Sequence, residues 1–409
     1  MLTESENKIL TEVGPKTPMG NLMREYWIPV LRSDQLERGG SPIRIKRLGE
    51  YFIAFRSPDG RAGLMDEACP HRGASMALAR NEDCGLRCIY HGWKISPSGE
   101  LLEAPTHPED APVHKMKTRS HPVREMHSMV WTWLGKGTPP PFPKLAFTSL
   151  PEGHVVAVTT VMNCGWLQPL ETLWDVFHSQ ILHNETNRRS SRASVYFSKE
   201  ARRRAGELVF DYPEMRFERT PYGLRYTNAD AIKETHFSFV APFVLYNTIT
   251  PGEYDDKMLQ FIVPVDDEHT LDWIIYYNHH APLKTDGTGL QVVSDLPDLS
   301  EYMAARGPRS AENRWGQDRE AMARGESFNG IPREGGMMIM AEDIIVIESQ
   351  GRVDRTRETL APVDRVLVEG RRVLLDAVAA HERGEPPIAR DLDLSDVEAL
   401  YVLKEPVTA

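Results

Sequence analysis

The chain has 409 residues, 41% hydrophobic and 26% charged, with a formal net charge of −11. That length suits two domains rather than one core, and the composition is that of a globular protein. The acidic balance argues against nucleic acid and anionic membrane as partners, while a basic electron-transfer protein would be attracted.

The N-terminal MLTESENKIL is charged and lacks the apolar core of a secretory signal. Residues 1–40 read as a helical lead-in, with Thr17 as a helix cap and Pro18 just inside. Between 42 and 67, the short alternating runs IRIKRLG, YFIAFRS and RAGLMDE predict antiparallel strands. A stretch rich in Cys and His follows at 69–93. WKISPSGELLEAP then reads as strand–turn–strand, HSMVWTWLGKG closes the β region, and GTPPPFPK at 137–144 is the linker.

Beyond it, HVVAVTTVMN is a strand and QPLETLWDVFHSQIL a helix that tolerates Pro169 in its first turn. The runs ELVFDY, MRFERT, GLRYTNADAI, THFSFVAPFVLYNTI, KMLQFIVPV and LDWIIYYNHH predict one large antiparallel sheet. VDRVLVEGRRVLLDAVAAHERG has helical spacing. The uncharged run 236–252 is broken by Pro242, so no membrane span is expected and the cytoplasm is the expected compartment. The expected division is 1–40, an all-β domain over 41–145, and an α+β domain over 146–409.

Three of the four cysteines lie in CPHRGASMALARNEDCGLRCIYHGW. Cys69-x-His71, sixteen residues, then Cys88-x-x-His91 make two corners, each with one thiol and one imidazole. Mixed corners suit a 2Fe–2S centre in which one iron takes both thiolates and the other both imidazoles. A small zinc knuckle is the alternative. Cys84 breaks the paired pattern and reads as a spare core cysteine. The other cluster, WLQPLETLWDVFHSQILHNE, carries Glu171, Asp175, His178 and His183. Asp175 and His178 would share a helix face. His183, five residues after His178, lies about 140° round an ideal helix, so a helix end or bulge between Ser179 and His183 is expected if both rings are to meet one metal. Two histidines and a carboxylate with open positions are the donor set of non-haem Fe(II) oxygenases. A histidine pair on a packed helix is the bland alternative.

CPHRGAS…GLRCIYHGWK resembles the Rieske signature of aromatic-ring-hydroxylating oxygenases, and Asp-x-x-His-x4-His resembles their mononuclear iron motif. Similarity to the phthalate dioxygenase type of oxygenase component extends to VGPKTPMGNLMREYWIPV, QDREAMARGESFNGI and ESQGRVDR. The resemblance implies an α+β protein: an N-terminal all-β Rieske domain and a C-terminal helix-grip (START-like) catalytic domain with a curved antiparallel sheet. It implies one 2Fe–2S cluster on Cys69, His71, Cys88 and His91. It also implies one mononuclear Fe(II) on His178, His183 and a distant aspartate, for which Asp343 is the match, with the adjacent Glu342 and then Asp318 behind it. Asp175 would link His178 to a cluster histidine, His91, of the neighbouring subunit in a homotrimer or stacked trimers; a role as orienter of His178 alone is the alternative. Many members carry Asn where this chain has Glu171, as the phthalate-type branch does.

The implied reaction uses O2, with electrons from a separate NAD(P)H-dependent flavin or iron–sulfur reductase, since the chain has no GxGxxG fingerprint. It hydroxylates an aromatic compound of the phthalate or benzoate kind; O-demethylation of an aryl ether acid is the alternative, and an electron carrier or zinc-stabilised binding protein the more distant ones. An aromatic carboxylate would call for an arginine: Arg216, with Arg202, Arg203 and Arg204 behind it. Ser179, His236 and Asn247 are the other substrate-binding candidates.

Overall fold

The computed structural model describes residues 2–108, 110–112, 115–185, 212–230, 233–247, 256–283, 310–331 and 338–404. The chain forms two compact units. One is Val13–Phe142 with Val263–Asp266, and the other is Met1–Glu12, Pro143–Ile262 and Asp267–Ala409. Arg202–Arg204 and most of ELVFDY lie outside the described residues.

The Val13–Phe142 unit opens with α2 (Pro18–Met23), following α1 (Glu4–Thr11) of the other unit. Thr17 caps α2 by accepting from Gly20 N, with Pro18 in the first turn where its missing N–H costs nothing. The next stretch, read as helical, instead holds β1 (Trp27–Arg32). Its apolar residues find a partner far along the chain in β11 (Met129–Trp133), which also pairs with β10 (Val123–Met126). β2 (Ile43–Arg47), β3 (Glu50–Arg56), β4 (Ala62–Asp66) and β9 (Ser120–His121) form a second antiparallel sheet. β5 (Arg80–Glu82), β6 (Gly85–Arg87), β7 (Lys94–Ile95) and β8 (Leu101–Glu103) form a third. One apolar core joins Ile53, Phe55 and Met65 to Cys69, Cys88, Trp93 and Ile95. The two cysteines are therefore held from behind by packed side chains. Cys84 is exposed, at φ +67° in the turn between β5 and β6, so it is a turn residue and not a core one.

The other unit is built on an eight-stranded antiparallel sheet. β13 (Val155–Met162), β19 (Thr270–Tyr277), β18 (Lys257–Pro264), β17 (Val244–Asn247), β16 (Lys233–Val240), β15 (Gly223–Ala229) and β14 (Glu214–Thr220) follow in that order. β21 (Leu400–Leu403) pairs with β16, and β12 (Lys144–Leu145) pairs in parallel with β20 (Asp393–Leu394). The run THFSFVAPFVLYNTI is two strands, because Pro242 removes a ladder donor and turns the chain between β16 and β17.

Among the described residues, the helices of this unit besides α1 are α3 (Leu167–Trp174), the short α4 (Arg319–Ala323), α5 (Met338–Ser349) and α6 (Arg365–Glu382). α5 is apolar on most of its surface; Ala341, Ile344 and Ile347 pack on Val158, Met162, Ile274 and Tyr276 of β13 and β19. α3 is shorter than its apolar spacing predicts. It ends at Trp174, whose ring meets Phe239 of β16 edge-on at 4.9 Å. Gly370 of α6 also lies against that ring: an added Cβ there would fall 2.6 Å from the indole.

That contact generates a prediction. Gly370→Ala forces the indole to move and should destabilise this unit by about 1–3 kcal/mol, read as a lower thermal midpoint. The same replacement at Gly351, which has open space around it, tests only its left-handed backbone and serves as the comparison.

Candidate metal centres

The two Cys/His corners are built alike. In the first, Cys69 N donates to Ala74 O and Gly73 N to Cys69 O, both at 2.8 Å. In the second, Cys88 N donates to Trp93 O at 2.8 Å and Gly92 N to Cys88 O at 3.0 Å. In each, a glycine four residues after the cysteine takes a positive φ, +73° and +75°, which an L side chain resists. The tight loops aim both thiols inward and bring His71 and His91 together, with ring centroids 4.4 Å apart. The His71 ring stacks on Trp93 at 4.5 Å and 10°, and Trp93 Nε1 donates to Thr106 Oγ1 at 2.7 Å.

Burial pushes the Cys69 thiol up; the backbone N–H of His71 opposes that, and Cys88 beside it adds to it. The pull of the backbone amides is what a thiolate ligand uses. His71 is shifted down, by burial first and then by His91, Arg72 and His107, which favours the neutral ring a metal needs. His71 Nδ1 is buried without a hydrogen-bond partner. Among the described residues, no three of these four donors lie within 4.8 Å of one another. One tetrahedral zinc would draw its ligand atoms to within about 4 Å. Paired thiols and paired imidazoles set farther apart fit two metals, as in a 2Fe–2S centre.

The second cluster departs from the helical expectation in an instructive way. α3 stops at Trp174, and Asp175 is already extended, at φ −77° and ψ 105°. Its Oδ1 accepts from Phe177 N at 2.8 Å, a local bond that competes with helix continuation. His178 then opens a single 3₁₀ turn, His178–Gln180, and 181–183 is a further turn. Asp175 and His178 therefore share no helix face. The irregularity begins before His178 and runs on through the stretch where a break was expected. His178 and His183 rings come to 5.1 Å, nearly perpendicular.

Asp343 of α5 meets both rings. Its Oδ1 lies 3.3 Å from His178 Nε2 and 3.0 Å from His183 Nε2. Asp343 Oδ1 is buried and has no partner along a hydrogen-bond direction. Donor atoms this close that do not point at one another point at a common centre. Among the described residues these three form the one such group, all within 4.8 Å. Burial disfavours charge on His178, but Asp175 and Asp343 outweigh it and raise the ring to about 10. Burial also opposes charge on His183, and Asp343 and Glu342 hold it at about 9. The Asp343 carboxyl, despite its burial, is held well below the usual carboxylate range by the two rings. A pocket that favours positive charge this strongly suits a divalent cation in place of the protons.

The alternatives to Asp343 are accounted for. Glu342 faces the other nitrogen of His183, Nδ1, at 2.7 Å. Asp318 caps α4 by accepting from Ala321 N at 2.8 Å. Asp175 Oδ2 lies 3.6 Å from His178 Nδ1, and its side chain keeps 29% exposure. Glu171 is 4% exposed, one turn before the helix end. It accepts from Arg371 Nε of α6 at 2.6 Å and pairs with Arg355; Arg371 in turn pairs with Glu358. This buried, charge-balanced quartet ties the end of α3 to α6.

The sheet register sorts the substrate candidates. Phe239, Leu245 and Gln260 share one face, as do Asn247 and Met258, and Met258 packs on the cluster containing α5. Arg216, Thr227 and His236 form a cross-strand row on the opposite face. There Arg216 donates to Glu234 at 2.6 Å with its side chain 53% exposed, and His236 bonds Thr227 at 2.9 Å. Ser179 Oγ donates to Val176 O at 2.8 Å. Of these four, Asn247 alone is a strand residue on the helix-covered face.

Sequence reasoning missed three polar residues on that face. Asp272 lies opposite Thr160 and accepts from Gln260 at 2.8 Å, and the three are buried. Asp272 Oδ1 and Thr160 Oγ1 have no partner. Their signal was a lone Asp inside the apolar run LDWIIYYNHH.

Residues 26–122 match the Rieske [2Fe-2S] domain family, and residues 132–399 match the family described as LigXa C-terminal domain like. The chain is 34% identical to the 3-chlorobenzoate-3,4-dioxygenase oxygenase subunit of Comamonas testosteroni, over 93% of this chain and 90% of that one. It is 33% identical to the phthalate 4,5-dioxygenase oxygenase subunit of Pseudomonas putida, over 98% and 96%. Among solved structures, a Pseudomonas putida CBB5 NdmA QL mutant with caffeine shares the fold, with a TM-score of 0.61 over 95% of this chain and 99% of that one at 17% identity.

Two outcomes follow from the buried charges. Arg371→Met leaves the carboxylates Glu171 and Glu358 with Arg355 as their one remaining cation among the described residues and should cost about 3–5 kcal/mol in unfolding free energy. The Asp272 carboxyl is pushed up from 3.8 to about 7, by burial first; Gln260 opposes this and Asp343 adds to it. Its contribution to stability is therefore most favourable below its unfolded value and worsens as pH rises to about 7. Asp272→Asn, which keeps an acceptor for Gln260, should raise the melting temperature at about pH 8 and leave it unchanged at about pH 4.

Proposed function

Because this chain belongs to the Rieske non-haem iron oxygenases of the phthalate dioxygenase type, we propose that it is the terminal oxygenase component of a two-component system that hydroxylates an aromatic carboxylate. The observation that carries the reading is the convergence of His178, His183 and Asp343 on one centre. These three would hold a mononuclear Fe(II), and Cys69, His71, Cys88 and His91 one 2Fe–2S cluster. When bound, the pair supplies stored electrons and open iron positions for reductive use of O2 beside the substrate.

The chain's own residues have separable tasks. The two glycine-closed loops present His71 and His91, while the apolar core behind Cys69 and Cys88 keeps water from the sulfurs. Asp175 lies 3.6 Å from His178 Nδ1 and stays partly exposed, so it can meet a group from a neighbouring subunit. That exposure supports a homotrimer, single or stacked, in which Asp175 contacts a cluster histidine, His91 in this numbering. Asn247, with Asp272, Gln260 and Thr160, offers polar groups on the face of the sheet toward α5. The aromatic carboxylate reading rests on the 3-chlorobenzoate and phthalate relatives. Electrons come from a separate NAD(P)H-dependent flavin or iron–sulfur reductase. Among the described residues no helix is long and apolar enough to cross a membrane, and the cytoplasm is the compartment proposed.

Protein purified without oxygen should contain about three irons and two acid-labile sulfides per chain. His178→Ala should drop the iron to about two, leave the sulfide unchanged and abolish O2-dependent turnover of benzoate or phthalate with a reductase. Zinc without sulfide would refute the oxygenase reading.

A further inference from the structure

The stretch QDREAMARGESFNGI contributes no donor to either centre, yet it is bonded to one of them. Asn329 is 9% exposed. Its Nδ2 donates to Leu182 O at 3.0 Å and to Glu342 Oε1 at 2.9 Å. Its Oδ1 accepts from Ile331 N at 3.0 Å, so the amide cannot flip without losing all three bonds. Beside it, Ser327 Oγ and Phe328 N both donate to Glu185 Oε2, at 3.1 and 2.8 Å. Residues 327–329 thus grip the chain on both sides of His183.

Glu342 is fully buried. One carboxylate oxygen takes the Asn329 amide; the other accepts from His183 Nδ1 at 2.7 Å. Both partners are donors, the pattern a carboxylate accepts. A ring that donates through Nδ1 leaves Nε2 as its metal-binding nitrogen, and Nε2 is the atom beside Asp343 Oδ1. His178 is held differently: its Nδ1 is 3.6 Å from Asp175 and makes no hydrogen bond.

We propose that Glu342, braced by Asn329, is a positioning residue for the mononuclear iron: it sets the tautomer and orientation of His183 and places a buried negative charge behind it. The proposal rests on the reading of His178, His183 and Asp343 as the iron ligands. The two histidines then have different duties. His183 is preset by the interior, while His178 answers to Asp175 and to whatever meets Asp175 from outside.

The chemistry makes Glu342→Gln informative. Its amide oxygen can accept from His183, but its NH2 then faces the NH2 of Asn329. Turned round, it offers a donor to His183 Nδ1–H. Either way one bond is lost with the shape kept.

The experiment uses full-length protein with its 2Fe–2S cluster, stripped of mononuclear iron and titrated anaerobically with Fe(II) against a chelator. Nitric oxide is then added and the electron paramagnetic resonance of the high-spin adduct recorded. Circular dichroism melts and the cluster's own spectrum control for folding. Glu342→Gln should weaken Fe(II) about 10- to 100-fold and change the rhombicity of the adduct. Asn329→Ala, which leaves Glu342 in place without its brace, should change the rhombicity as well. It stands in as the deciding variant if Glu342→Gln does not fold. Unchanged affinity and an unchanged adduct spectrum in a folded variant overturn the proposal. His183→Ala separates the two levels. Should it keep wild-type Fe(II) binding, the ligand reading fails; should it lose iron while Glu342→Gln keeps it, only this inference fails.

Discussion

The catalytic unit depends on where α3 ends. His178 and His183 are spaced so that a continuous helix would set them about 140° apart around its axis. The chain stops the helix at Trp174 and passes through extended backbone into a 3₁₀ turn. Two interactions hold that stop in place. The Trp174 ring packs against both Gly370 and Phe239, and the Glu171–Arg371 pair fastens the last turn to α6. A buried ion pair adds little net stability against an apolar substitute, but it tolerates little displacement. Here it stands one turn from the first functional carboxylate.

The three donors proposed for iron come from two segments with different support. His178 and His183 lie on the irregular stretch after α3; Asp343 rides on α5, whose apolar surface is pressed on β13 and β19. Asp343 Oδ1 is itself buried on that helix. His183 is tied to the same helix through Glu342, the residue adjacent to Asp343. His178 has no such tie, and the carboxylate next to it reaches the surface. A donor tied to the interior and one beside a surface-reaching carboxylate are thus separated within one set.

The smaller unit shows another route to precision. Its Cys/His loops owe their shape to backbone bonds and glycine conformations within a few residues, repeated at both corners. Local geometry suffices because each corner is closed on itself. The mononuclear site has no local closure and draws on residues more than 150 positions apart, as in the His183–Glu342 bond.

That contrast explains how much could be read from the sequence. The cluster loops, the strands from β2 to β4, the large antiparallel sheet and the two helix histidines were legible, because spacing, alternation and turn residues are local signals. The choice of Asp343 over Glu342 rested on resemblance alone; adjacent residues on a helix point about 100° apart, and only the packing of α5 says which faces the rings. Arg216 reads from the sequence as the leading substrate contact and Asn247 as one of the others, but the register puts them on opposite faces of the sheet. β1 was missed because its partner lies about a hundred residues away. The sequence by itself determined the donor types and the local loop shapes, which follow from covalent geometry and short-range bonds. The tertiary structure alone decided which carboxylate lies between the two rings and which bonds the far nitrogen of one, since that depends on burial and on hydrogen bonds between segments distant in the chain.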